Sequence, residues 1–524
     1  MEDTGVKRKF PKAIIVLIVT VLVVIGGSAS AFFILTKSPK VQYLTAEAKT
    51  YNQMRTLFEE RYKNEMDWEK AKVEKPVETT YDLSAEWNDP SVDYEMQEMH
   101  SIINSIVISM KQVNDPVKKE MEFGVSGKLG SASTGFITMY ATTEKLLLSL
   151  PFADELIRID DSDYGKFMKE IDEDYDGKET IGLPHLFEDN YVMAEELRTY
   201  LTKEYLAYIV KELPEEAFTS DKEELELFGE KRKTTKVVMD LSEEQVKTLL
   251  KNLFEKAKND EKLREALEEQ IAFRSFREDV SNTEAAEIME NFEEALVEIV
   301  DDIDTWSIPN GLQSTIWHDS NIIVKREFTV ALGEDKDSAE TMTVVGTQLL
   351  EKTQQKWDYT IAVKDSLGEE ETAKVEGDLS WKDQKSDDSI SITFDDMKIV
   401  YKGKEELKDN KRTFTRSFGL TDGEIDPAVI WRGTATHEKD SVKVDHEFTV
   451  SEKSIGETPF NLMLKQQGKI VKQVDMPEET DDTVKIGEMD MNELQRFVEY
   501  DLGRKFEGWL YGLMGEVEGE LYDF

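Results

Sequence analysis

The feature that most constrains the fold is a long series of segments, between about residues 320 and 450, in which apolar and polar side chains alternate. In a β-strand, residues of one parity lie on one face of the sheet. The apolar sets of shared parity are Ile322, Val324, Phe328, Val330 and Leu332; Tyr359, Ile361 and Val363; Val375, Leu379 and Trp381; Ile390, Ile392 and Phe394; Phe414, Phe418 and Leu420; and Val442, Val444, Phe448 and Val450. This series predicts about nine antiparallel strands that curl into a half-barrel-like sheet with one apolar face.

Two amphipathic helices are predicted before this series. Ser242 and Gln245 have the spacing of a capping box at the start of the first helix. Its apolar residues recur at helical spacing, and they are Val246, Leu249, Leu250, Leu253, Phe254 and Ala257. The second helix is predicted from about Thr283 to Asp302 and uses Ile288, Phe292, Leu296, Ile299 and Ile303. We expect both helices to cover the apolar face of the sheet, because each apolar stripe needs a partner.

A transmembrane anchor is predicted near the N-terminus. Residues Ala13 to Leu35 contain no charged side chain, and as a helix of about 34 Å they match a hydrocarbon core of roughly 30 Å. Four basic residues precede this run, namely Lys7, Arg8, Lys9 and Lys12. Because basic residues remain on the cytoplasmic side, the prediction is a single-pass protein of the cell membrane with a cytoplasmic N-terminus and an extracytoplasmic bulk.

A cleavable signal peptide is the alternative to this anchor. Ala29 and Ala31 fit an A-x-A cleavage site. However, the apolar run resumes from Phe32 to Leu35, which makes it longer than the hydrophobic region of an ordinary signal peptide. We therefore favour retention of the anchor over cleavage after Ala31.

The predicted fold class is accordingly α+β, with an N-terminal transmembrane helix followed by antiparallel meander sheets that pack with amphipathic helices. Helical spacing of Tyr51, Met54, Phe58, Tyr62 and Met66 predicts a stalk, or a helix docked on the adjoining domain. The predicted organisation is a cytoplasmic tail (1–12), the transmembrane signal anchor (13–35), a helical stalk (36–80), an α+β domain with a helical middle (81–306), an antiparallel meander (307–480) and a C-terminal helical segment (481–524).

Composition excludes several kinds of partner and chemistry. Asp and Glu number 110 against 65 Lys and Arg, which gives a net charge of −45. Such a surface repels nucleic acid and anionic lipid headgroups. The chain has no cysteine, so disulfides, thiolate metal sites and cysteine nucleophiles are excluded. Export without disulfides is typical of a Gram-positive surface protein.

One half-motif indicates a metal. In DEDYDGKE, Asp172, Asp174, Asp176 and Gly177 match the first, third, fifth and sixth positions of a calcium-binding loop. The twelfth position is Leu183, where such a loop needs a bidentate glutamate. The alternatives are thus a calcium site and an ordinary solvated acidic loop. No other cofactor is predicted.

Catalytic motifs are absent from the sequence. The five histidines, His100, His185, His318, His437 and His446, form no H-E-x-x-H, and no serine lies in G-x-S-x-G. With a hairpin turn at Lys439–Asp440, His446 lies opposite Gly433 and about 13 Å from His437, too far to share a metal. We therefore predict a buried, hydrogen-bonded His446 and no enzymatic activity.

Two groups of known proteins resemble this chain. The N-terminal anchor, SPKVQYLTAEAKTYNQM and KVVMDLSEEQVKTLLKNLFEKAKND resemble an uncharacterised family of membrane-anchored, exported proteins of bacilli. A large meander with helices on one face also resembles, at the level of fold, the half-barrels of LolA-like and LppX-like carriers, which hold acyl chains between sheet and helices. The second resemblance implies an apolar or lipid-like ligand.

Three functions from different classes are compatible with these features. The first is a membrane-tethered extracytoplasmic binding module for an apolar ligand. The second is a structural or interaction domain of the cell envelope with a filled core, whose partner would be an envelope protein. The third is an envelope enzyme that uses a pair of carboxylates. An apolar gap between helices and sheet would favour the first over the second.

Overall fold

The computed structural model describes residues 38–89, 93–171, 177–187, 190–278, 282–421, 428–452 and 456–523. These residues contain 21 strands. The strands are β1 (Val77–Trp87), β2 (Ile106–Asp115), β3 (Glu120–Leu129), β4 (Ala132–Ser133), β5 (Ile137–Ala141), β6 (Lys145–Ser149), β7 (Ile157–Asp160), β8 (Phe218–Leu227), β9 (Glu230–Leu241), β10 (Leu312–Asp319), β11 (Ile322–Leu332), β12 (Glu340–Leu350), β13 (Gln354–Lys364), β14 (Glu370–Ser380), β15 (Lys385–Phe394), β16 (Met397–Lys408), β17 (Lys411–Thr421), β18 (Ala428–His437), β19 (Ser441–Glu452), β20 (Gly456–Ile470) and β21 (Val484–Lys485).

The described α-helices are α1 (Pro39–Arg61), α2 (Lys63–Glu74), α3 (Tyr94–Ser105), α4 (Tyr164–Ile171), α5 (Asn190–Leu201), α6 (Ala207–Glu212), α7 (Glu243–Lys258), α8 (Glu261–Glu278), α9 (Asn282–Asp302), α10 (Met491–Arg496) and α11 (Gly503–Asp523). A π-helical turn, Thr202–Leu206, joins α5 to α6, and a second, Phe497–Leu502, joins α10 to α11.

The chain divides into two compact units. Unit 1 takes its described residues from Met1–Tyr62, Asn190–Lys402 and Leu420–Glu424. Unit 2 takes its described residues from Lys63–Asp189, Gly403–Gly419 and Ile425–Phe524. The domain bounds proposed from the sequence remain predictions.

The sheet of unit 1 is a meander in which each strand from β8 to β15 pairs antiparallel with the next. Two of its hairpins turn through Ser320–Asn321 and Asp383–Gln384, and both residues of each pair have positive φ. This is the backbone of a type I′ turn, whose twist matches that of the flanking strands. Tight turns therefore keep consecutive strands of this unit in register.

The sheet of unit 2 joins distant parts of the chain. Strands β17, β18, β19 and β20 pair in sequence, and β20 then pairs with β1. From β1 the antiparallel order continues through β2, β3, β5, β6 and β7, while β4 pairs with β3. The short β21 pairs parallel with β7. Strand β1 thus lies between β20, from the C-terminal part of the chain, and β2.

The core of unit 1 lies between the sheet and its helices. Ser242 caps α7 with both hydrogen bonds of the capping box, as predicted. The buried residues Val246, Leu250, Leu253 and Phe254 of α7 pack in one cluster with Leu296, Val300 and Ile303 from α9 and its C-terminal end, and with strand residues such as Val237, Ile316 and Val330. The two helices therefore pack on one part of the sheet of this unit, whereas Ile392 and Phe394, which the sequence placed on the covered face, remain 42% and 41% exposed.

Helix α1 is held to unit 1 by polar side chains as well as apolar ones. Tyr43 contributes its ring to the core and a 2.6 Å hydrogen bond to Ser314. The Arg326 guanidinium donates to the buried Glu47 at 2.5 Å, and this ion pair raises the pKa of Arg326 despite the opposing effect of burial. The helix is therefore docked on the sheet.

The apolar stripe from which this helix was predicted faces away from the sheet. Tyr51, Met54 and Phe58 expose 41%, 50% and 58% of their surface. The helix buries Tyr43, Glu47, Thr50 and Arg61 instead. Arg61 lies against Asp388 at 2.5 Å, with both side chains nearly inaccessible. The face of α1 that meets the sheet thus combines paired charges with the buried apolar residues Leu44 and Ala46.

The predicted fold class is wrong. The sheet is larger than the predicted meander of about nine strands. Strands β8 and β9 extend it at one side, and β1, which is distant in sequence, pairs with β20. The described residues form a large, mostly antiparallel sheet of 21 strands. Periodicity along the chain reports which residues share a face, but it carries no information on pairing between strands that are distant in sequence.

The predicted localisation is also corrected. Among the described residues, no helix combines the length and apolar character that a membrane span requires. A single-pass protein anchored by a transmembrane helix is therefore not supported, and the run Ala13–Leu35 on which that prediction rested lies outside the described residues. The absence of cysteine is confirmed.

The core of unit 1 gives a first prediction. Leu253→Asp should lower the free energy of unfolding by about 3–5 kcal/mol, because it places a charge without a partner in the cluster between α7 and the sheet. Thr248→Asp adds the same charge at an exposed position of α7 and should change stability by less than about 0.5 kcal/mol. Urea unfolding of both variants measures the difference, and equal stabilities would show that α7 does not pack as described.

Candidate functional site: an apolar belt on the sheet of unit 2

One face of the unit 2 sheet carries apolar side chains that no other part of the structure fully covers. Eight of them expose between 37% and 46% of their surface. We call this set the apolar belt, and its members are Ile106, Ile108, Ile137, Phe418, Val429, Val450, Phe460 and Leu462.

Strand register places the belt on a single face. Residues that lie directly opposite each other in an antiparallel pair point to the same side of the sheet. Val429 lies opposite both Phe418 and Val450. Leu462 lies opposite Phe448, which shares the face of Val450. Ile108 and Leu464 both lie opposite Leu83 of β1, so the same face continues into β2, where it also carries Ile106. From β2 the face continues through Val125 of β3 to Ile137 of β5.

The opposite face of these strands is polar. Arg432 of β18 forms ion pairs there with Glu447 and Glu457. Lys469 of β20 pairs with Glu78 of β1. The sheet is therefore amphipathic, with a charged outer face and an apolar inner face.

Helix α2 covers one end of the apolar face. Trp68 is buried and packs with Val77, Ala435, Val442 and Val444. A Cβ atom on Gly468 would lie 2.6 Å from the Trp68 ring, so glycine is needed for this close approach. The belt lies at the other end of the same strands, beyond the reach of α2.

Buried charges lie between the covered end and the belt. Glu405 accepts hydrogen bonds from Arg412 at 2.9 Å and from Arg416 at 2.5 Å, and its side chain is inaccessible to solvent. Arg412 also pairs with Glu65 of α2 at 2.6 Å. Two cations and two carboxylates thus balance each other, which is the condition for burying charge in a sheet.

An aromatic cluster adjoins these charges. Trp431 stacks on Phe448 with ring centroids 5.8 Å apart, and Phe414 packs edge-on against Trp431 at 5.1 Å. The Arg416 guanidinium lies over both Phe414 and Trp431, at 4.5 and 4.6 Å from their centroids. The cluster is therefore continuous with the belt residue Phe418, two positions after Arg416 on the same face.

His446 belongs to this cluster; it is hydrogen-bonded, as predicted, but only half-buried. It lies opposite Gly433 and accepts a 3.0 Å hydrogen bond at Nδ1 from the Trp431 indole N–H. Burial, together with the Arg416 charge, lowers the pKa of His446. Burial also lowers the pKa of His437, although Glu65 opposes that shift. Both imidazoles are thus biased toward the neutral form.

The predicted calcium ligands cannot be placed, because Asp172, Asp174 and Asp176 lie outside the described residues. Gly177 follows them with φ +88°, and its amide donates to Glu179 at 3.0 Å. Within the described ranges, no group of three or more His, Asp or Glu side chains could hold a metal ion. The calcium site remains a prediction.

A separate polar cavity of about 750 Å³ lies in unit 1, lined by residues of α5 to α8 and of the short segment that joins α7 to α8. Asp260 accepts hydrogen bonds from Tyr200 at 2.6 Å and from Tyr205 at 2.7 Å. The bond to Asp260 raises the pKa of Tyr200 to about 12. Asp260 also accepts the amide of Leu263 in the first turn of α8. The phenols and the carboxylate thus satisfy one another and brace the helices.

Sequence reasoning missed both the belt and the polar cavity. The belt residues Phe418 and Val450 were correctly assigned to an apolar face, but the pattern does not say which part of that face a helix covers. Tyr200 and Asp260 are 60 positions apart in sequence, and nothing in their local pattern signals that they meet.

Comparisons with known proteins yield no family. No family model matches the chain, and no curated protein matches it. The resemblance to exported proteins of bacilli therefore remains a prediction, as does the fold-level resemblance to LolA-like carriers.

Several solved structures align over much of the chain with little real similarity. The P pilus usher PapC translocation pore is 7% identical and covers 70% of this chain, with a TM-score of 0.17. This chain spans 55% of the length of PapC. A bacterial polysaccharide outer membrane secretin is 6% identical over 76% of this chain and 99% of its own, with a TM-score of 0.21. OccK3 of Pseudomonas aeruginosa is 7% identical over 76% and 94%, with a TM-score of 0.22. At these scores the alignments carry no argument about fold or function.

The buried charges give a second prediction. Glu405→Gln should lower the free energy of unfolding by about 3–5 kcal/mol, since it leaves the buried Arg412 and Arg416 short of negative charge. Glu447→Gln on the polar face removes a partly exposed partner of Arg432 and should cost less than about 1 kcal/mol. Chemical denaturation tests both, and a neutral effect of Glu405→Gln would contradict the described network.

Proposed function

We propose that this chain is a non-enzymatic binding protein whose ligand is an apolar, chain-like molecule that lies along the apolar belt. The single observation that carries the proposal is the register of the belt, which places eight partly exposed apolar side chains on one face of one sheet. Contiguous exposed apolar patches of several hundred Å² often mark binding sites.

The shape of the belt favours a chain-like small molecule over a protein. A whole aromatic side chain covers about 150–250 Å², so eight side chains that each expose less than half of their surface present roughly 500–900 Å². Each partner of a stable protein complex buries about 800 Å², so area alone does not separate the two kinds of ligand. The belt is narrow, however, with only one or two members on each strand. Its shape therefore suits an extended chain better than a second folded protein.

Charge disfavours the other apolar occupants. The chain carries a net charge of −45, so two copies repel each other and an anionic bilayer surface repels the protein. An uncharged hydrocarbon chain meets no such repulsion. A bound apolar ligand would cover the belt, as α2 covers the other end of the same face.

Unit 1 supports the alternative of a filled, structural core. Its buried residues from α1, α7, α9 and the sheet form one continuous cluster. We therefore assign ligand binding to unit 2 and a structural role to unit 1.

Binding of the neutral probe 1-N-phenylnaphthylamine to the full chain tests this proposal. The probe should bind with an increase in fluorescence, and Phe418→Asp or Val450→Asp should weaken binding by about tenfold or more, because each places a charge on the belt. Val117→Asp is the matched control, since Val117 is a 75% exposed apolar residue of unit 2 outside the belt.

Three outcomes would overturn the proposal. The first is equal probe affinity in the belt variants and in Val117→Asp. The second is a dimer in sedimentation equilibrium that Val450→Asp dissociates, which would make the belt an interface between copies. The third is co-sedimentation with anionic lipid vesicles that the same variant abolishes.

A further inference from the structure

The inner end of the belt carries two hydrogen-bond donors with unused capacity. His446 and Arg416 share the belt face and adjoin the same aromatic cluster. On β17, Arg416 is two residues before the belt residue Phe418. On β19, His446 is four residues before the belt residue Val450. At about 3.3 Å per residue, each donor lies roughly 7–13 Å from the belt member on its own strand.

The tautomer of His446 is fixed by its neighbour. The Trp431 indole can only donate, and it donates to Nδ1. A neutral His446 must therefore carry its proton on Nε2. Nε2 has no hydrogen-bond partner among the described residues. It is also not among the unpaired polar atoms that are fully buried. The Nε2–H group is thus a donor that reaches accessible space.

Arg416 keeps part of its guanidinium free. Its Nε and one terminal nitrogen both donate to the same oxygen of Glu405. The other terminal nitrogen makes no hydrogen bond among the described residues, and it too is absent from the fully buried unpaired atoms. Guanidinium groups offer five N–H donors in a planar fork, so Arg416 can donate outward while it remains paired with Glu405.

We propose, building on the function proposed above, that the ligand is an acyl chain whose oxygen-bearing head accepts hydrogen bonds from Arg416 and from His446 Nε2–H. The hydrocarbon part lies on Phe418, Val429, Val450 and Leu462. A carboxylate and an ester carbonyl share this acceptor chemistry, whereas a plain hydrocarbon lacks it. Neutral His446 agrees with this role, because burial and the Arg416 charge lower its pKa.

Displacement of bound 1-N-phenylnaphthylamine from the full chain by dodecanoic acid, methyl dodecanoate and dodecane tests the inference. We expect the better of the two oxygen-bearing ligands to bind about tenfold more tightly than dodecane, the ratio to which 1.4 kcal/mol corresponds. A preference for the acid identifies a free fatty acid as the ligand class, and a preference for the ester identifies an esterified acyl chain.

Two variants and a control assign the preference to these residues. Arg416→Met and His446→Phe should bring the ratio close to one while dodecane binding is kept, because the aromatic and apolar surface remains. Arg432→Met removes an arginine from the opposite face of β18 and should keep the full ratio. Thermal melting of each variant checks that it is folded.

The outcomes separate this inference from the proposal beneath it. If all three ligands displace the probe equally from the unaltered chain, or if the preference survives in both Arg416→Met and His446→Phe, the acyl-head inference is wrong and the apolar site stands. If the probe and all three ligands fail to bind, both are wrong.

Discussion

Strand register is the constraint on which the rest of unit 2 depends. Opposed residues of an antiparallel pair point to the same side, and the pairings from β17 to β20 and on to β1 and β2 preserve one apolar face. That face has to be covered or occupied. Helix α2 covers the end near Gly468 through Trp68. Next to Phe460, Trp87 of β1 packs on His100 of α3, and the belt is left partly open to water or to a ligand. The candidate site follows from the order of the strands and from the length of one short helix.

Buried ion pairs hold a helix on the sheet in each unit. In unit 1, α1 meets the sheet through Glu47 with Arg326 and through Arg61 with Asp388. In unit 2, α2 meets it through Glu65 with Arg412. A buried pair adds little net stability, because desolvation offsets its attraction, but breaking one is costly and any other placement of the helix would break it. In unit 2, the pair between Glu65 and Arg412 therefore helps to fix where α2 lies on the apolar face.

The sequence predicts what is local and misses what depends on distant pairing. The capping-box spacing of Ser242 and Gln245 predicts the start of α7. A hairpin turn at Lys439–Asp440 predicts that His446 lies opposite Gly433, as observed. The stripe of Tyr51, Met54 and Phe58 was misleading, because α1 packs through its other side, which carries both apolar residues and paired charges. At β11 a register shift sends Ile323 into the main core and Val324 into a separate cluster with Trp317, so the expected parity fails there. The exposure of the belt depends on where α2 ends, which no local pattern encodes.

Photolabelling with an acyl chain that carries a diazirine near its terminal methyl group tests the central claim most directly, because it reports where the chain lies without any substitution. After irradiation of the full chain and proteolysis, mass spectrometry should find label on the apolar face of β17 to β20, around Phe418, Val450 and Leu462, and excess unlabelled dodecanoic acid should suppress it. Label concentrated on α7 and α9, or spread over the polar face around Arg432, would contradict an apolar site on this sheet.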